Sequence, residues 1–148
     1  MNMLGIVYSQ MKEYEKTEYY IIESYKMDSL NSFSAGNVGF FYQEFEKYEK
    51  SMYYFERAIE LNALNYTAYN NRGYSKLMLG DIEGALEDVN QGMEIQEYNS
   101  YAYRNRALIY LEMGKTEKAC EDMAMAEALD FSTTYGNELL NLKKRYCQ

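Results

Sequence analysis

Displaced by 34 residues, the sequence falls on itself from end to end, and no other property constrains the chain as much. Residues 68–80 (AYNNRGYSKLMLG) lie on residues 102–114 (AYRNRALIYLEMG) without a gap. The period stacks Gly5, Gly39, Gly73 and Ala107 in one column, Thr17, Ser51, Ala85 and Ala119 in a second, and Ser24, Ala58, Gly92 and Ala126 in a third. Helices approach closely only where side chains are small, so these columns mark helix contacts. Larger columns fill the space between: Tyr8, Tyr42 and Tyr110; Tyr14, Tyr48 and Ile82; Ile21, Phe55, Val89 and Met123; Met27, Leu61, Ile95 and Leu129. Apolar residues recur at helical spacing, as in Ile82, Ala85, Leu86, Val89 and Met93, and the absence of proline leaves few strong breakers. An all-α chain of repeated helical units is the prediction.

The pattern resembles the tetratricopeptide repeat (TPR), a helix-turn-helix unit with small residues at its eighth, twentieth and twenty-seventh positions. The resemblance implies a right-handed α-solenoid of antiparallel helix pairs in a single domain spanning 1–148, with repeats at 1–31, 32–65, 66–99 and 100–133 and a capping helix at 134–148. Gly80-Asp81 matches the turn between the two helices of a repeat; Lys12 and Glu46 stand where the first two repeats should carry its glycine. Ser29, Ala63, Glu97 and Phe131 stand where the family ends each repeat with proline, which predicts extended or frayed helix ends, with Asn31, Asn65 and Asn99 left to make the turns. Repeat one lacks its first three positions, so Met1 is read as the start of the chain or of a fragment of a longer array. In the tail, Leu139, Leu140 and Leu142 are expected to face the last repeat.

Composition narrows the function. Without histidine there is no Ser-His-Asp or Cys-His relay and no HExxH site, and the phosphate-binding, dinucleotide-binding and nucleophile-elbow motifs are missing too. The chain is read as non-enzymatic and as needing no cofactor or metal. A formal charge of -8 disfavours nucleic acid as a partner, and no apolar run reaches the length of a membrane span. The paired acids Glu87, Asp88 and Glu121, Asp122 fall on second helices, the outer face of such a solenoid, and are expected to form a solvated charged surface.

In this family the first helices line a concave groove. Among the first fourteen positions of the repeats only Glu44 and Glu112 are acidic, whereas Arg72, Lys76, Arg104 and Arg106 are basic, which predicts a faintly positive groove and a neutral to acidic ligand. The resemblance places Ile6, Phe33, Phe40, Thr67, Asn70, Tyr74, Leu77, Met78, Tyr101, Arg104, Leu108 and Leu111 at the positions that commonly face ligand. A polar column, Asn37, Asn71 and Asn105, is suited to pairing with both N–H and C=O of an extended peptide, and Asn is also simply common at that position in the family. The clamp by which related domains grip chaperone C-terminal tails is not matched: Gly36, Phe40, Asn71, Tyr101 and Asn105 occupy its positions in one register, and Asn2, Ile6, Asn37, Thr67 and Asn71 in the other.

The leading expectation is a protein–protein interaction module that holds a peptide segment of a partner in the groove. The alternative is a self-assembling scaffold, a homo-oligomer formed through repeat one, where Met1, Met3, Leu4 and Val7 mark an unpaired end and Tyr19, Tyr20, Tyr53 and Tyr54 mark the second helices. Cys120 and Cys147 are favoured as free thiols in a reducing compartment, cytoplasmic by default. A fold-back of the capping helix would set them face to face, and a bridge there would imply export.

Overall fold

The computed structural model describes residues 3–148, with side chains from Gln10 onward. Among the described residues there are nine helices and no strand: α1 (Met3–Met27), α2 (Ser32–Glu44), α3 (Tyr48–Leu61), α4 (Tyr66–Met78), α5 (Ile82–Ile95), α6 (Ser100–Glu112), α7 (Thr116–Ala128), α8 (Phe131–Tyr135) and α9 (Glu138–Tyr146). Helices pack as the pairs α2/α3, α4/α5 and α6/α7, with α3 leaning on α4 and α5 on α6, so each unit touches its neighbours in an open stack.

The small columns are where helices meet. A Cβ at Gly39 would stand 2.8 Å from ring carbons of Phe55, and one at Gly73 would stand 2.8 Å from Cγ2 of Val89. Phe55, Val89 and Met123, one period apart, are fully buried against them, each contributing roughly 1.5–3 kcal/mol. Repeats two and three are also joined by a buried polar seam, in which Gln43 Nε2 donates to the Asn71 carbonyl and to Ser75 Oγ, both at 2.8 Å, and Ser75 meets Ser51 at 2.7 Å.

One register position per repeat marks the turn between paired helices. Gly80 and Gly114 end α4 and α6 in left-handed backbone, with φ of 86° and 70°, and Glu46, one period earlier, is forced to φ 55°. Lys12, at the same register in repeat one, makes no turn: α1 runs unbroken for 25 residues. The expected helix-turn-helix of repeat one is therefore corrected to a single long helix. Its sequence through that point, QMKEYEK, has no glycine or proline, but neither has EFEKYEK around Glu46, which turns, so helix propensity alone does not separate the two. The unpaired end expected at Met1, Met3, Leu4 and Val7 lies outside the described side chains, as do Ile6 and Tyr8.

Without prolines, the asparagines restart the helices. Asn31 accepts from the N–H of Phe33 and Ser34, Asn65 from Ala68, and Asn99 from Tyr101 and Ala102, each satisfying donors that a helix start leaves open. The tail, expected as one helix over 134–148, breaks at Gly136 (φ 93°) into α8 and α9. Leu139 is fully buried on the last repeat and Leu142 half-buried, whereas Leu140 points out.

The end of α9 returns to the first turns of α7, and Cys120 and Cys147 are bonded there, their Cα atoms 5.7 Å apart. The free thiols favoured by the sequence give way to a bridge because the close packing of α9 on α7 meets the separation a disulfide requires.

Candidate functional site

The first helices α2, α4 and α6, with α8 after them, wall a cavity of about 680 Å³. Phe33, Phe40, Tyr66, Tyr101 and Tyr135 give it ring faces, Asn37, Asn65, Asn70, Asn71 and Asn99 line it with asparagine, and Glu44 is its one charged residue. Of the groove residues expected from sequence, Asn37, Phe40, Asn70, Asn71 and Tyr101 are thus brought together. Tyr74, Leu77, Arg104, Asn105 and Leu108 are not.

Each of the second group has a physical reason. Asn105 is fully buried between helices, where its Nδ2 donates to the Asn70 carbonyl at 3.2 Å and its Oδ1 accepts from Arg104 Nη1 at 2.9 Å. The column of three asparagines is therefore no continuous ladder: Asn37 is exposed, Asn71 borders the cavity, and Asn105 ties α6 to α4. Tyr74 packs with Leu77 and Leu108 around Val89 and Ile109. Leu77 and Leu108 also border a separate cavity of about 440 Å³ shared with Leu142 and Tyr146 of α9.

Asn70 is the exception among the buried amides. It is 1% exposed, and neither its Nδ2 nor its Oδ1 has a hydrogen-bond partner within the protein. The amide lies against α5, where a Cβ on Gly92 would stand 2.4 Å from its Oδ1, so its polar atoms are enclosed in the α4–α5 contact and are closed to the cavity.

The expected positive groove is corrected. Arg72 donates from Nε and Nη2 to the two Asp88 oxygens at 2.7 Å, Lys76 adds a third contact at 2.9 Å, and Arg106 grips Asp122 in the same two-pronged way at 2.7 and 2.8 Å. Hydrogen bonding to these carboxylates raises the pKa of both guanidinium groups above their ordinary value. Asp88 and Asp122 are buried, not solvated as their place on second helices suggested, because the arginine one helix away turns toward them rather than into the groove.

Arg104 is held by Glu138 at the start of α9, and its guanidinium lies 5.0 Å from the ring centre of Tyr74 and 5.7 Å from that of Tyr101. Burial raises the Tyr101 pKa as well. Tyr135 and Glu138 were missed as site residues because the tail reads as a lid. One further step of the period would have found them: Tyr135 follows Tyr101, and Glu138 follows Arg104, by 34 residues. The tail stands where a fifth first helix would.

Chemically the cavity offers amides, ring faces and a carboxylate, the equipment of recognition. Among the described residues no group of three or more metal-type side chains converges, and no helix is long and apolar enough to cross a membrane.

Stacked helix pairs with a lined concave face define a helical-repeat scaffold. The tetratricopeptide repeat model matches residues 34–63 and 100–132, so two of the chain's helix pairs match tetratricopeptide repeats, the helical-repeat type of protein-interaction scaffolds. Among solved structures, one of MamA shares 16% identity over 98% of this chain and 84% of its own, with a TM-score of 0.71. The Arabidopsis OM64 TPR domain shares 26% identity over 78% of this chain and 93% of its own, with a TM-score of 0.69. The first TPR of Spaghetti (RPAP3), solved with an HSP90 peptide bound, shares 18% over 80% and 94%, with a TM-score of 0.68. No curated protein sequence matches this chain significantly.

Proposed function

We propose that the chain is a non-enzymatic interaction module that holds an extended peptide segment of a protein partner in the cavity between α2, α4, α6 and α8. The observation that carries this reading is the lining of one concave cavity by ring faces and asparagines, with Asn37 exposed on it. An exposed amide can pair with the N–H and C=O of a peptide backbone, and Phe33, Phe40 and Tyr101 on the same cavity select among side chains. Asn37 and Asn71 extend the polar track; Asn105, Arg104, Tyr74, Leu77 and Leu108 support it from behind. An acidic chaperone tail is a poor fit, since the clamp cations are absent from this cavity.

The test is an array of short random peptides probed with the intact chain and with Asn37→Ala, whose side chain is exposed on the cavity. Stability should hold within about 0.5 kcal/mol while peptide affinity falls about tenfold. Unchanged affinity would remove the asparagine track from recognition.

Self-assembly is the second reading, favoured by the exposed rings of Tyr19, Tyr20 and Tyr53 on α1 and α3, each more than 60% exposed. Light scattering of the chain and of Tyr53→Glu decides it: a dimer that the charge dissociates supports assembly, and a monomer sinks it.

A further inference from the structure

We infer that the cavity selects a basic segment, a peptide that presents lysine or arginine between apolar residues, with Phe40 and Glu44 of α2 as the cation's seat. The inference rests on the peptide-groove reading and adds the chemistry of the partner. It reverses the expectation from sequence, in which four basic residues on the first helices pointed to a neutral or acidic ligand.

Those four cations are all engaged by the chain's own acids. Arg72 and Lys76 are held by Asp88, Arg106 by Asp122, and Arg104 by Glu138. The carboxylate that remains on the cavity is Glu44, exposed and in no ion pair among the described residues. A body with 23 acidic residues against 15 basic ones adds to the same sign of field. An acidic peptide would therefore enter against repulsion, with no cation to receive it.

The local geometry gives the cation a specific place. Phe40 and Glu44 are one helical turn apart on α2 and share a face, and both border this cavity and an adjoining one of about 610 Å³ on the side of α1. Phe40 is 45% exposed. An ammonium or guanidinium over this ring would also reach the Glu44 carboxylate, so a cation–π contact and an ion pair act on one group. Asn37, exposed one turn before Phe40 and bordering the same two cavities, is placed to take the backbone beside that side chain. An apolar peptide of the same shape would gain the rings but not the carboxylate.

The experiment compares the peptides that an array of short random sequences yields with the unmodified chain and with Glu44→Lys. Glu44 is the exposed last residue of α2, where a cation suits the helix dipole, so the variant should fold; circular dichroism checks this. The unmodified chain should enrich lysine and arginine and deplete aspartate and glutamate. Exchanging the central lysine of a binder for glutamate should weaken it about tenfold, and Glu44→Lys should invert that order. Phe40→Ala should lower the preference for lysine without reversing it. Enrichment of acidic peptides, or a lysine preference that persists in Glu44→Lys, would overturn the assignment of charge while leaving the groove intact. No binding by any peptide, or binding untouched by Asn37→Ala, would overturn the groove reading itself and this inference with it.

Discussion

Arg104 on α6 donates from Nη2 to both carboxylate oxygens of Glu138 on α9, at 2.7 and 2.9 Å, joining the last full repeat to the tail. The two partners are unequally placed: the arginine side chain is 9% exposed and the glutamate 52%. The neighbouring pair, Arg106 with Asp122, differs in having a buried carboxylate, 6% exposed.

This contrast predicts unequal losses. Arg104→Met should cost only about 1 kcal/mol, since the Glu138 carboxylate it leaves behind is reached by water. Arg106→Met should cost about 3–5 kcal/mol, because it leaves the buried Asp122 carboxylate without its partner. Chemical denaturation of the two variants measures both, and equal losses would show that exposure of the carboxylate does not set the energy.

At the turn between α2 and α3, Glu46 holds a left-handed backbone that glycine adopts one and two periods later. Glu46→Gly should raise stability by about 0.5–1 kcal/mol, the relief of backbone strain exceeding the entropy that glycine adds to the unfolded chain. The same change at Lys12, which lies inside α1, should lower stability by about 1 kcal/mol. The opposite signs are read from thermal or denaturant midpoints.

The bridge between Cys120 and Cys147 spans 27 residues, and closing a loop of that length removes enough freedom from the unfolded chain to stabilise by roughly 3.5 kcal/mol. Cys147→Ser should therefore lower the unfolding midpoint and raise amide exchange first in α9, which otherwise rests chiefly on Leu139 and on Glu138. Thiol counting under denaturing, non-reducing conditions should find no free thiol; two would refute the bridge.

Tyr14, Tyr42, Tyr48, Tyr54 and Tyr101 all have their pKa raised, first by burial. For Tyr42, hydrogen bonding to the Glu18 carboxylate adds to the effect. Above the ordinary tyrosine value of 10.0, the unfolded chain loses these protons before the folded chain does. Stability from these groups is thus complete below that pH and falls as pH rises toward the folded values. Phenolate absorbance should show a late-titrating class that merges with the rest in denaturant, and Tyr42→Phe should remove its most resistant member.

The columns of the 34-residue period were legible in the sequence because a solenoid repeats one local packing problem, and Gly39, Gly73, Ala85, Ala119, Ala58 and Ala126 are small for the same reason in every turn. Those columns alone dictate the all-α fold and the pairing of helices in repeats two to four, and the asparagines between repeats mark where each first helix from α2 to α6 restarts. The sequence by itself did not determine which way a polar side chain turns. Arg72 and Arg106 lie on first helices yet reach the acids of the second, Asn105 is drawn into the α4–α6 contact while Asn70 is left unmatched, and Glu138 meets Arg104 only because the tail folds back. Charge on a groove is a sum over partners from several elements, and those partners are chosen by reach and burial in three dimensions. For that reason the sign expected from one helix at a time was the opposite of the one the assembled structure supports.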